Sequence, residues 1–174
     1  MEVKKIKSIL LSMILILIIF WGFTYYENST ISKVFRDQNI LTSMNFADGK
    51  VVLIKNGENI QAKYMKKGFL GWYTKLSSAP IIAKYSNDIY SINYIEHFSI
   101  DGHTLLFGYI MNNDIVEVRF HTKQSEDFFH NYDIRYKVKS SYWLIPINSE
   151  IGGFNADQLS IVLKDGSENF YPFQ

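Results

Sequence analysis

The chain has 174 residues, 47% of them hydrophobic, with 18 basic and 17 acidic side chains and a formal net charge of +1. Dense aromatics (12 Tyr, 13 Phe and 3 Trp) with only ten Gly and three Pro exclude a collagenous or mainly disordered chain. The absence of cysteine excludes a disulfide scaffold, a thiol nucleophile and Cys-ligated zinc.

Residues 1–26 differ from the rest. Lys4, Lys5 and Lys7 precede a charge-free run from Ser8 to Tyr26, long enough at about 1.5 Å per residue to cross most of a roughly 30 Å hydrocarbon layer. Trp21, Tyr25 and Tyr26 at its far end suit an interfacial aromatic belt. The lysines before the run predict a cytoplasmic N-terminus and an extracytoplasmic C-terminal part. A removed signal peptide is the rival reading, but 20–27 lacks the small residues that cleavage needs at −3 and −1. The expectation is therefore a single uncleaved transmembrane helix.

Ile31, Val34, Phe35 and Gln38 fall at helical spacing behind Ser29 and Thr30, two N-cap residues, and predict a short helix over 30–38. A meander of antiparallel strands should follow at 40–46, 50–55 and 60–65, punctuated by Asp48-Gly49, Asn56-Gly57 and Lys66-Lys67-Gly68. A composition shift over 76–80 marks the best internal boundary. Beyond it, strands are expected at 89–95, 104–110, 115–121, 128–138, 142–147, 158–163 and 170–173, with loops at 112–114 and 149–154. The predicted class is α+β and mainly β. A lysine-led anchor (1–26) precedes a short helix and β-meander (27–76), and then an antiparallel, sandwich-like β-rich segment (77–174). Residues 27–174 are expected to make one compact ectodomain.

Charge is unevenly spread. Residues 50–84 hold seven lysines against Glu58 alone, a net of +6, and residues 85–133 carry a net of −6. Either the two stretches neutralise each other across the fold, or the basic one faces an anionic surface. In the second case Lys63, Lys66 and Lys67 are the expected contacts. These lysines interleave with Tyr64, Phe69, Trp72 and Tyr73. A core strand with solvated lysines is the first expectation for that pattern; outside the membrane it also suits sugar rings or an anionic polymer, and no nucleic-acid partner is expected.

Catalytic signatures are weak. His97, His103, His121 and His130 lie near Glu96, Asp101, Glu126 and Asp127, and His97 with His103 could meet on neighbouring strands around zinc. No H-E-x-x-H pattern supports this. Ser43-Met44 behind an N-terminal anchor matches the start of the membrane signal peptidase serine motif, but the proline is missing and Lys50 or Lys66 lacks the basic, Gly-rich context of the lysine base. No phosphate or dinucleotide loop is present. No catalytic, metal or cofactor residue is therefore assigned. An extracytoplasmic binding module, partnered by the membrane and an envelope protein or anionic polymer, is expected ahead of a Ser/Lys or His-metal hydrolase.

Gly71-Trp72, Leu106-Phe107-Gly108-Tyr109-Ile110 with Asp114-Ile115-Val116-Glu117-Val118, Tyr142-Trp143-Leu144-Ile145-Pro146 and Leu163-Lys164-Asp165-Gly166 carry a family pattern. Through them the chain resembles a group of small, uncharacterised, membrane-anchored or secreted proteins of Gram-positive, spore-forming bacteria. The resemblance runs over 30–172. It implies an extracytoplasmic, non-enzymatic domain and transfers no catalytic residue.

Overall fold

The charge-free run folds as one continuous helix, α1 (Glu2–Glu27), in the computed structural model. The structure describes residues 2–82, 92–100, 102–110, 112–121, 133–138, 141–148 and 158–170. Two hydroxyl side chains within the apolar run of α1 donate back into the helix, Ser12 to the Ser8 carbonyl at 3.0 Å and Thr24 to the Phe20 carbonyl at 2.9 Å. Neither therefore carries an unmet hydrogen bond to the apolar surface. Ile6–Glu27 is long and apolar enough to cross a membrane, and none of it is buried by the rest of the chain.

The chain divides into two compact units, Met1–Lys55 with Ala62–Ser77, and Asn56–Gln61 with Ser78–Gln174. In the first, Thr30 caps α2 (Ile31–Val34) by accepting from the Lys33 N–H. The helix is shorter than the apolar spacing predicts. Phe35 leaves helical geometry at φ −114° and turns its ring into a core with Val52, Ile54 and Met65. One turn has little stability of its own, so packing of Phe35 decides where it stops.

Strands β1 (Asn39–Phe46), β2 (Gly49–Asn56), β3 (Asn59–Gly68) and β4 (Gly71–Ser77) then run in antiparallel order β1-β2-β3-β4. The first three match the expected meander. β4 was not among the expected strands. Most of its side chains are exposed, so it carries no burial alternation, and its pairing with β3 holds it in place. At the β1–β2 turn the left-handed residue is Ala47, φ 48°, rather than Gly49. Gly49 is needed for space, since a Cβ there would lie 2.4 Å from the Met65 carbonyl oxygen.

In the second unit, β5 (Ile81–Ile82) pairs with Asn59 and Ile60 at the start of β3. Strands β6 (Ile92–Ile100), β7 (His103–Ile110) and β10 (Tyr142–Asn148) form one antiparallel sheet in the order β10-β7-β6. Strands β8 (Ile115–His121), β9 (Asp133–Lys137), β11 (Leu159–Leu163) and β12 (Glu168–Phe170) form another, β12-β11-β8-β9. One core joins the two sheets in the expected sandwich-like way: Leu106 and Ile110, Trp143 and Ile145 from the first, and Val118, Phe120, Leu159 and Ile161 from the second. The fold class is α+β, mainly β. The expected positions 89–91, 128–132, 149–154 and 171–173 lie outside the described residues.

Candidate functional site

The best-defined surface feature begins where α1 ends. β3 and β4 are closed by the two-residue tip Phe69-Leu70 between the paired glycines Gly68 and Gly71. Gly71 has φ +96°, and a Cβ on it would lie 2.4 Å from the Asn28 carbonyl oxygen. Glycine therefore serves both the turn and the close approach of the hairpin to the chain leaving α1. The approach is fixed by Trp72 N–H donating to the Asn28 carbonyl at 2.7 Å. The Trp21 indole lies 5.3 Å from the Phe69 ring and stacks on Tyr25 at 5.6 Å. The same end of α1 is tied down by Lys33, whose ammonium donates to the Tyr26 carbonyl at 3.1 Å and sits over the Tyr26 ring, and by the Arg36–Glu27 ion pair. Phe69 and Leu70 themselves remain 78% and 46% exposed.

The three lysines singled out in the sequence do not share one face. Side chains alternate along β3, so Lys63 and Lys67 project from one side and Lys66 from the other. Lys63 lies over the Phe35 ring at 5.2 Å, and Lys67 is exposed beside Trp72, its cross-strand neighbour. Lys66 donates to Asp48 at 2.5 Å, and the buried Tyr64 hydroxyl donates to the other oxygen of that carboxylate. The Lys66 and Tyr64 hydrogen bonds hold the Asp48 carboxyl below its ordinary pKa, and the Asp48 bond pushes Lys66 up. Lys66 thus stays charged, the reverse of the neutral lysine that a serine–lysine dyad requires. Ser43 is an exposed residue of β1, paired with Val52.

The histidines are also resolved by strand geometry. His97 is the cross-strand partner of Leu106, and His103 that of Ile100, which puts the two imidazoles on opposite faces of the β6–β7 pair. They cannot share a zinc ion. Among the described residues no group of three or more His, Asp or Glu side chains is placed to hold a metal. His130, Asp101, Glu126 and Asp127 lie outside the described residues.

A polar cluster that sequence reading missed sits on the sheet of β8, β11 and β12. Glu117, Arg119 and His121 alternate along one face of β8, and the register brings Ser160 and Glu168 beside them. Arg119 bonds Glu117 at 2.5 Å and Glu168 at 2.8 Å. The buried Ser160 hydroxyl donates to Glu168 at 2.5 Å, and His121 Nε2 lies 2.8 Å from Ser160 Oγ and 3.1 Å from Glu168. Burial pushes Glu168 up, but Ser160, Arg119 and His121 outweigh it and hold the carboxyl below its usual value. The residue types are those of a serine–histidine–carboxylate relay, but the geometry differs. A relay puts serine and carboxylate on opposite ring nitrogens, whereas here both meet Nε2. Only the i, i+2 spacing of Glu117, Arg119 and His121 hints at the cluster in the sequence.

The fold and these sites define a mainly β protein carrying one N-terminal helix of membrane-spanning length and composition. No family model, no curated protein and no solved structure matches the chain.

Proposed function

We propose that this chain is a single-pass membrane protein, cytoplasmic at its N-terminus, whose residues 27–174 form an extracytoplasmic, non-catalytic binding module of the cell envelope. The observation that carries this reading is the contrast along α1. No residue of its apolar stretch is buried by the rest of the chain, while its C-terminal end is bonded into the fold through Trp21, Tyr26 and Glu27. Removal of a signal sequence would delete these contacts, so an anchor that is retained accounts for them. Lys4, Lys5 and Lys7 before the span favour the stated orientation. The cluster around Glu168 spends its strongest hydrogen bonds within the sheet, so it is read as a network that holds β8, β11 and β12 together and not as a relay.

Alkaline phosphatase fused after Gln174 should be active, and the membrane-bound protein should have the mass of the uncleaved chain. A species shortened by the α1 residues would overturn the anchor. Activity only from a cytoplasmic reporter would reverse the topology. A pull-down from detergent-solubilised membranes then identifies the bound envelope protein or polymer.

A further inference from the structure

We infer that the β3–β4 tip is a second membrane contact, inserting Phe69 and Leu70 into the interfacial layer of the bilayer that α1 spans. This rests on the anchor reading above. Trp21, which meets Phe69, lies six residues before Glu27, about 9 Å back along the helix at about 1.5 Å per residue. The tip therefore hangs below the end of the span, at the roughly 5–10 Å depth that interfacial segments occupy.

Three further features point to lipid as the occupant. Two large apolar side chains stand at the extreme of a tight turn, and Phe69 is 78% exposed although it belongs to a well-packed unit. The open groove between hairpin and helix is lined by Leu17, Ile18, Trp21, Phe69 and Leu70, so the tip's apolar surface is continuous with the lipid-facing surface of α1. The residues change character with distance from the tip: apolar at Phe69-Leu70, then, past the Gly68/Gly71 pair, the lysine–aromatic rungs Lys67/Trp72 and Lys66/Tyr73. That is the order of an acyl region followed by the aromatic and cationic interfacial layer of a bilayer boundary. Lys67, exposed beside Trp72, is then the lysine placed for an anionic headgroup, while Lys66 serves Asp48. With α1 and the tip both inserted, the first unit would be held at two points and could not swivel freely on its anchor.

The chain has no cysteine, so single nitroxide labels can be placed without background. Full-length Leu17→Cys, Phe69→Cys and Asp165→Cys variants are labelled and reconstituted into phosphatidylcholine/phosphatidylglycerol vesicles. Collision with oxygen, which partitions into lipid, is compared with collision with a water-soluble nickel chelate. Labels at 17 and 69 should favour oxygen, and the label at 165 the chelate. A label at 17 in lipid with one at 69 in water overturns the insertion and leaves the anchor intact. Labels at 17 and 69 both in water overturn the anchor itself. Spin–spin broadening at 69 that disappears on dilution with unlabelled protein, without oxygen preference, assigns the tip to a second copy of the chain and also overturns the inference.

Discussion

The backbone N–H of Trp72 donates to the carbonyl oxygen of Asn28 across 2.7 Å, joining the chain that leaves α1 to the first residues of β4. Such a bond is worth only about 0.5–1.5 kcal/mol net. Its importance is geometric, because it fixes the hairpin tip beside Trp21.

Gly71 is the residue that permits this approach. Gly71→Ala forces a side chain into left-handed backbone, costing about 1–2 kcal/mol, and drives a methyl group against the Asn28 backbone, at about 1–3 kcal/mol more. Thermal unfolding of the detergent-solubilised protein should fall clearly, and a protease should cut more readily near residue 28. An unchanged melting temperature would show that hairpin and helix end are not in contact.

Ala47 presents the opposite case. It holds φ 48° in the β1–β2 turn without glycine's freedom, and Gly49 two residues later does not take the positive φ. Ala47→Gly should raise stability by up to about 1 kcal/mol. Gly49→Ala should lower it, since its Cβ meets the Met65 carbonyl and the Tyr64 ring. Paired denaturation curves of the two variants test the assignment by sign alone.

Glu168 sets an acid limit. Its folded pKa lies below the ordinary 4.5, so its stabilising bonds are fully present above that value and are lost as pH falls through the lower folded pKa. Stability should therefore decline from about pH 5 downward. Glu168→Gln should be less stable than the parent near neutrality, and its stability should fall less steeply over that acid range. Equal acid slopes for parent and variant would contradict the depressed pKa.

Trp143 tests the core of the second unit. It is fully buried, and its indole Nε1 has no hydrogen-bond partner among the described residues. Trp143→Ala should cost about 3–5 kcal/mol. Trp143→Phe gives up volume but no hydrogen bond, so it should recover much of that loss. If phenylalanine is as damaging as alanine in chemical denaturation, the indole N–H has an acceptor after all.

Side chains that read the same in any fold determined part of this protein by themselves. A run from Ser8 to Tyr26 with no charge needs no partner within the chain to be recognised, because solvent transfer alone sets its fate. Thr30 as a cap, Asn56-Gly57 and Asp165-Gly166 as turns, the apolar run of β7 and the alternation of β8 are equally local, and the mainly β class follows from them. What tertiary structure decided is where opposing surfaces met. Phe35 stopped α2 by entering a core whose other members are 17 to 30 residues away in sequence. β4 is a strand because β3 offers it a hydrogen-bonded edge, and its own exposed side chains record nothing of that pairing. The net of +6 over 50–84 suggested one lysine face, yet the pleat sent Lys66 away from Lys63 and Lys67 and onto Asp48. Likewise the register of β6 and β7 separated His97 from His103, and that of β8, β11 and β12 gathered Arg119, His121, Ser160 and Glu168. Composition and periodicity report how much surface is buried. Which charged or aromatic groups then become neighbours depends on strand register, where a shift of one residue exchanges every face.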